Sequence, residues 1–179
     1  HVAPVRKELG MRTLFNLLGP LSNPAGARRQ LLGVYAPELV PVLARTLAEL
    51  GCDRAFVVHG AGGLDEISTS GPTAVCEVRG STVREFSVTP DELGLPRAEL
   101  SALRGGDATE NAEMLRGVLR GEPGARRTAV VINAGAALAA AGVVEEIRDG
   151  VRLAERAIDS GAALDKLDRF VAATRRATA

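Results

Sequence analysis

Asp65 and Glu66 stand side by side in GAGGLDEISTSGP, residues 60–72, directly after the apolar run AFVVH. Neighbouring like charges repel, so the pair raises the free energy of a fold unless water, an arginine or a metal ion compensates it. In an irregular loop two adjacent carboxylates can turn to one side, which neighbouring positions on a helix cannot do. Their hard oxygens suit Mg²⁺, an ion that keeps several waters and binds through one or two carboxylates plus substrate phosphates. Glycines at 60, 62 and 63 leave the backbone free to approach a bulky ligand or to take positive φ. Acidic residues in a glycine-rich turn are most often simply solvated, so the dipeptide alone does not separate a metal site from a wet loop.

The other chemically capable residues are equally two-sided. Arg6, followed by Lys7, is either a solvated helix face or a guanidinium able to grip a carboxylate with two parallel hydrogen bonds. His59 closes a strand pattern, but no nucleophile is spaced to meet it, so local hydrogen bonds account for it better than base catalysis. Asn133, in AVVINAG, sits where an expected strand yields to a helix and reads as a cap or a cross-link between loops. Cys52 and Cys76 lack metal-site spacing and read as buried small side chains in a reducing compartment, with one disulfide as the lesser alternative.

These residues need a scaffold, and 179 residues suffice for one main core. The 22 basic and 22 acidic residues cancel, so no broad field draws the chain to nucleic acid or to an acidic membrane. The chain opens HVAPVRKELG, charged where a secretory signal would be apolar, and starting at His1 it reads as missing something upstream. Helix formers fill 2–9, and TLFNLLGPLSNP reads as a short helix broken at Gly19-Pro20 and again at Asn23-Pro24. RRQLLGVY is a short buried strand. Leu39, Val40, Leu43, Leu47 and Leu50 recur at three and four, an amphipathic helix stopping at Gly51. RAFVVHG, 54–60, is apolar on both faces, as in a parallel sheet, so strand, helix and strand form a crossover unit.

TAVCEVRG and STVREFSV alternate, an antiparallel hairpin turning at Arg79-Gly80-Ser81. Asp107 or Thr109 caps a helix over TENAEMLRGVLRGE. The run TAVVINAGAALAAAGVV, 128–144, is too short and too alanine-rich to span a bilayer and reads as strand AVVIN followed by a helix. Two more helices close the chain, with Val151, Ala154 and Ile158 on one face of the first and Leu164, Leu167 and Val171 on one face of the second. The expected class is α/β: a mixed, mainly parallel sheet flanked by helices. In an open sheet of this kind, ligands bind at loops leaving the carboxyl ends of strands, which is where Asp65 and Glu66 fall.

VRKELGMRTLFNLLGPLSNPAGA, QLLGVY, VVHGAGGLDEIS, GGDATENAEMLRGVL and VINAGAAL, in this order, resemble the carboxyl-terminal half of the anthranilate phosphoribosyltransferase family along essentially the whole chain. The resemblance implies transfer of the phosphoribosyl group of phosphoribosyl pyrophosphate to the amine of anthranilate, with Mg²⁺ required. It implies that Asp65 and Glu66 bind Mg²⁺, that Arg6 contacts anthranilate, and that Gly19 and Pro20 line the anthranilate pocket. It further implies a cytoplasmic enzyme, a homodimer when full length, and a boundary that leaves 1–22 as a remnant of a small helical domain and 23–179 in the α/β domain. The family's glycine-rich diphosphate loop and a lysine-histidine-glycine-asparagine stretch, both upstream in its members, have no counterpart here, so these 179 residues alone are expected to be inactive. Two alternatives remain: a related pyrimidine nucleoside phosphorylase, and a truncated paralogue that binds without turnover.

Overall fold

Phe56, Val57 and Val58 lie at the centre of the molecule. The computed structural model describes residues 15–177. They form α1 (Phe15–Leu21), β1 (Arg29–Gly33), α2 (Leu39–Glu49), β2 (Arg54–Gly60), β3 (Thr73–Arg79), β4 (Thr82–Val88), α3 (Ala108–Leu119), α4 (Ala125–Ala140), α5 (Ile147–Asp159) and α6 (Ala162–Ala177), with short 3₁₀ turns at Asp91–Leu93 and Leu100–Leu103. Arg6, Leu14 and the helix expected at 2–9 lie outside the described residues.

The four strands are ordered β1-β2-β3-β4. β1 and β2 run parallel, with α2 as the connection, while β2–β3 and β3–β4 are antiparallel. Successive β2 side chains point to opposite faces, so each face has its own core. On one, Ala55 and Val57 meet Cys76, Val78 and the apolar stripe of α2, Val40, Leu43, Ala44 and Leu47; Leu17 and Leu21 of α1 pack against this cluster. On the other, Phe56, Val58 and Val75 meet Val131, Ile132 and Ala136 of α4 and Val151, Ala154 and Ile158 of α5. Two-sided coverage explains why β2 reads as an unbroken apolar run. No helix among the described residues is long and apolar enough to cross a membrane.

Four expectations need correction. AVVIN is not a strand: residues 125–140 are one helix, and its buried residues Thr128, Val131, Ile132, Gly135, Ala136, Ala139 and Ala140 follow a three-then-one spacing, a helical stripe. Val-Val-Ile favours a strand locally, but the alanines around it and the packing of that stripe decide otherwise. The sheet therefore lacks the further strand expected at 129–133, and one of its three pairings is parallel. Gly19-Pro20 does not break α1, which runs to Leu21 with Pro20 inside its last turn. Leu50 is 61% exposed because α2 ends at Glu49 and Gly51, at φ 79°, turns the chain away. Of the two caps expected for α3, Asp107 is the one present, as anticipated: its carboxylate accepts from Thr109 N and Glu110 N, and Asp107 N donates in turn to the Glu110 carboxylate.

Candidate active site: the acidic loop at the end of β2

The loop leaving β2 turns at once. Gly60 N donates to Leu64 O at 2.8 Å, and Gly62 and Gly63, at φ 82° and 78°, supply the left-handed turn that residues with a Cβ avoid. Asp65 and Glu66 follow, both exposed. Neither is paired with a basic side chain among the described residues, so none of the arginines described compensates their mutual repulsion. Immediately afterwards the chain is buried: Ile67 is 1% exposed and Ser68 and Thr69 are fully enclosed.

The backbone beneath the pair rests on two glycines that sequence reasoning did not single out for this. A Cβ on Gly33, the last residue of β1, would lie 1.6 Å from Asp65 O, and one on Gly60 would lie 2.4 Å from Glu66 O. The loop folds back directly over the ends of both parallel strands, so these positions admit no side chain. On the far side, Ser68 N donates to Thr73 Oγ1 at 2.9 Å, and Thr69 Oγ1 donates to Ala98 O at 3.1 Å. Asn133 also reaches the loop, but from within α4 rather than from a strand end. Its Oδ1 accepts from Ile67 N at 2.9 Å, and its Nδ2 donates to Ile67 O at 3.1 Å. The cross-link expected of Asn133 is present, with a different element supplying it.

Asp65, Glu66 and Asn133 line a cleft of about 370 Å³ with Leu31, Gly33, Val58, Ala129 and Val130. The cleft thus opens at the carboxyl ends of β1 and β2, between them and α4. No third metal-ligating side chain joins the pair among the described residues. Two exposed carboxylates with no basic partner among the described residues fit Mg²⁺, which takes one or two such ligands and fills its octahedron with water and phosphate oxygens.

The remaining sequence candidates lie elsewhere. Pro20 lines a separate cleft between α1, β1 and the end of α2, together with Asn23, Arg28, Gln30 and Leu50, while Gly19 is exposed and outside it. His59 Nδ1 is 2.8 Å from Val34 O, the local partner expected of it. Cys52 and Cys76 are free and buried, and burial pushes both thiols up, away from reactivity.

A family model described as "Glycosyl transferase family, a/b domain" matches residues 1–164. The anthranilate phosphoribosyltransferase of Paramagnetospirillum magneticum is 56% identical over 176 residues, and that of Rubrobacter xylanophilus 55% over 177, each alignment covering 98% of this chain. The chain spans about half the length of these relatives, 51% and 52%. The anthranilate phosphoribosyltransferase of Thermus thermophilus superposes with a TM-score of 0.87 at 48% identity over 96% of this chain and 51% of its own. The Saccharomyces cerevisiae enzyme in complex with PRPP and Mg superposes at 0.85, with 33% identity, over 95% of this chain and 49% of its own. With a family model covering most of its length and relatives more than half identical, this chain belongs to the glycosyl transferase family of α/β domains that includes the anthranilate phosphoribosyltransferases.

Proposed function

We propose that the chain supplies the leaving-group side of an anthranilate phosphoribosyltransferase. The reaction joins the amine of anthranilate to C1 of phosphoribosyl pyrophosphate, breaks the C1–O bond, and releases pyrophosphate and the amine proton, giving N-(5-phosphoribosyl)anthranilate for tryptophan biosynthesis. The observation that carries this reading is the exposed Asp65–Glu66 pair, unpaired with arginine among the described residues, on a backbone seated against two strand ends.

Cleaving a ribosyl diphosphate builds positive charge on the sugar and negative charge on the departing oxygens, so stabilising the diphosphate is the main electrostatic task. Mg²⁺ bound there supplies Lewis-acid neutralisation of those oxygens. Asp65 and Glu66 hold that charge at the mouth of the cleft and orient it. Arg6 fixes the carboxylate of the acceptor, and Gly19 and Pro20 line its pocket, which aligns an amine already nucleophilic enough to need no strong base. On the same reading the enzyme works as a homodimer in the cytoplasm, with residues 1–22 belonging to a helical domain.

The test is product fluorescence with phosphoribosyl pyrophosphate and anthranilate, using the longest form of the protein that its gene encodes and, separately, residues 1–179. Mg²⁺-dependent turnover is expected from a form that carries the diphosphate loop and none from residues 1–179 alone. Phosphorolysis of thymidine without added Mg²⁺ would overturn the assignment in favour of a nucleoside phosphorylase.

A further inference from the structure

Asn133 occupies a place where its residue type is a local disadvantage. It sits in the middle of α4, among alanines, where asparagine is a poorer helix former than alanine. Both of its amide hydrogens and its carbonyl oxygen are hydrogen-bonded. Oδ1 accepts from Ile67 N at 2.9 Å, while Nδ2 donates to Ile67 O at 3.1 Å and to Ala129 O, one turn back, at 3.0 Å. Both polar groups of Ile67 are thereby met by one side chain, much as a neighbouring strand would meet them. With both its N–H groups used, Asn133 has no donor left for a substrate, although it lines the same cleft as the two carboxylates.

Ile67 directly follows Glu66. The Asp65 and Glu66 carbonyls rest against Gly33 and Gly60, and Ile67 is anchored in the core; among the described residues Asn133 is the side chain that holds both polar groups of Ile67, while Thr73 Oγ1 accepts from the next amide, Ser68 N. We propose that Asn133 is a positioning residue: its two-bond clamp on Ile67 sets the direction in which the Asp65 and Glu66 carboxylates face the cleft, and so tunes their grip on a cation-bound diphosphate. This rests on the metal reading of the pair given above.

The experiment measures binding of Mn²⁺ with inorganic pyrophosphate by calorimetry, in the longest form of the protein that its gene encodes, for the unaltered protein, Asn133→Ala, Asp65→Asn and the double variant. Loss of an outer partner of a metal ligand weakens affinity on the order of ten- to a hundredfold. Asn133→Ala is expected to fall toward the low end of that range and to speed hydrogen exchange at the Ile67 amide. The double variant is expected to bind no more weakly than Asp65→Asn, because the clamp acts through the pair. A folded Asn133→Ala with unaltered Mn²⁺ and pyrophosphate affinity overturns the proposal, as do losses that simply multiply in the double variant. Failure of both Asn133→Ala and the milder Asn133→Ser to fold overturns it in favour of a purely architectural bond. If Asp65→Asn itself leaves affinity unchanged, the metal reading falls and the clamp proposal falls with it.

Discussion

At position 33 a single methyl group would collide with the Asp65 carbonyl, so the acidic loop and the end of β1 share one surface with no slack. This ties the chemistry of two side chains to a residue far away in sequence. Gly33→Ala must push Asp65 away, at an overpacking cost of about 1–3 kcal/mol, and should weaken Mg²⁺-dependent use of the phosphoribosyl donor without altering the anthranilate requirement. Asp65→Asn and Glu66→Gln leave that backbone intact and remove charge only. Losing a unit charge about 4 Å from a cation forfeits roughly 1–4 kcal/mol depending on the local dielectric, so each should raise the Mg²⁺ needed for half-maximal rate at least about fivefold. Identical rates across a Mg²⁺ titration in these variants would remove the pair from the reaction. The carboxylates themselves were legible as a dipeptide in a glycine run, but Gly33 and Asn133 were not legible as their supports. Both act through contacts between segments far apart in sequence, and no local spacing encodes those.

The elements were legible where one pattern dominated. α2 announced itself by apolar residues at three and four, β2 by an unbroken apolar run, and the β3–β4 hairpin by alternation around Gly80. In α4, Val130, Val131 and Ile132 look like a strand when seen alone, and only the full sixteen residues show the helical stripe. Two glycines give that stripe its partner. A Cβ on Gly150 of α5 would lie 2.1 Å from Gly135 O, and one on Gly135 of α4 would lie 2.6 Å from Val151 N, so the helices cross backbone to backbone. Since a carbonyl on a helix cannot swing aside as a flexible side chain can, Gly150→Ala should force the two helices apart. The expected loss is at least about 2 kcal/mol, or several degrees in Tm. Because α4 carries Asn133, the same variant should also loosen the Ile67 amide in hydrogen exchange. An unshifted Tm would show that the helices have more freedom than this crossing allows.

Across the whole molecule, the sheet is locked to the α4–α5 turn by an ion cluster around the buried Arg54–Glu77 pair that no sequence pattern disclosed. Glu77, on β3 and 3% exposed, accepts from Arg54 Nη2 at 3.1 Å, Arg79 Nε at 2.6 Å and Arg84 Nη2 at 2.9 Å. Arg54, itself buried, also donates to Glu145 O at 2.6 Å, and Arg79 Nη1 pairs with Glu145 at 3.0 Å. One carboxylate therefore joins β2, β3 and β4 to the turn that sets the course of α5. Burial by itself pushes the Glu77 carboxyl up, but the hydrogen bonds from Arg84, Arg79 and Arg54 outweigh it and hold the group below the ordinary glutamate range. A carboxyl depressed in the folded state stabilises the protein at pH values above its unfolded value, about 4.3, and that contribution drains away as pH falls through the folded value. Glu77→Gln leaves the buried Arg54 guanidinium with only the exposed Glu145 carboxylate, 3.8 Å away, as counter-charge, and removing one partner of a buried pair typically costs about 3–5 kcal/mol at neutral pH. Urea denaturation from pH 7 down to pH 3 should therefore show a wide stability gap between the two proteins above about pH 5, narrowing as acid protonates Glu77 in the unaltered chain. A gap that stays constant through that range would mean the cluster holds the layers together by packing and neutral hydrogen bonds, not by the charge on Glu77.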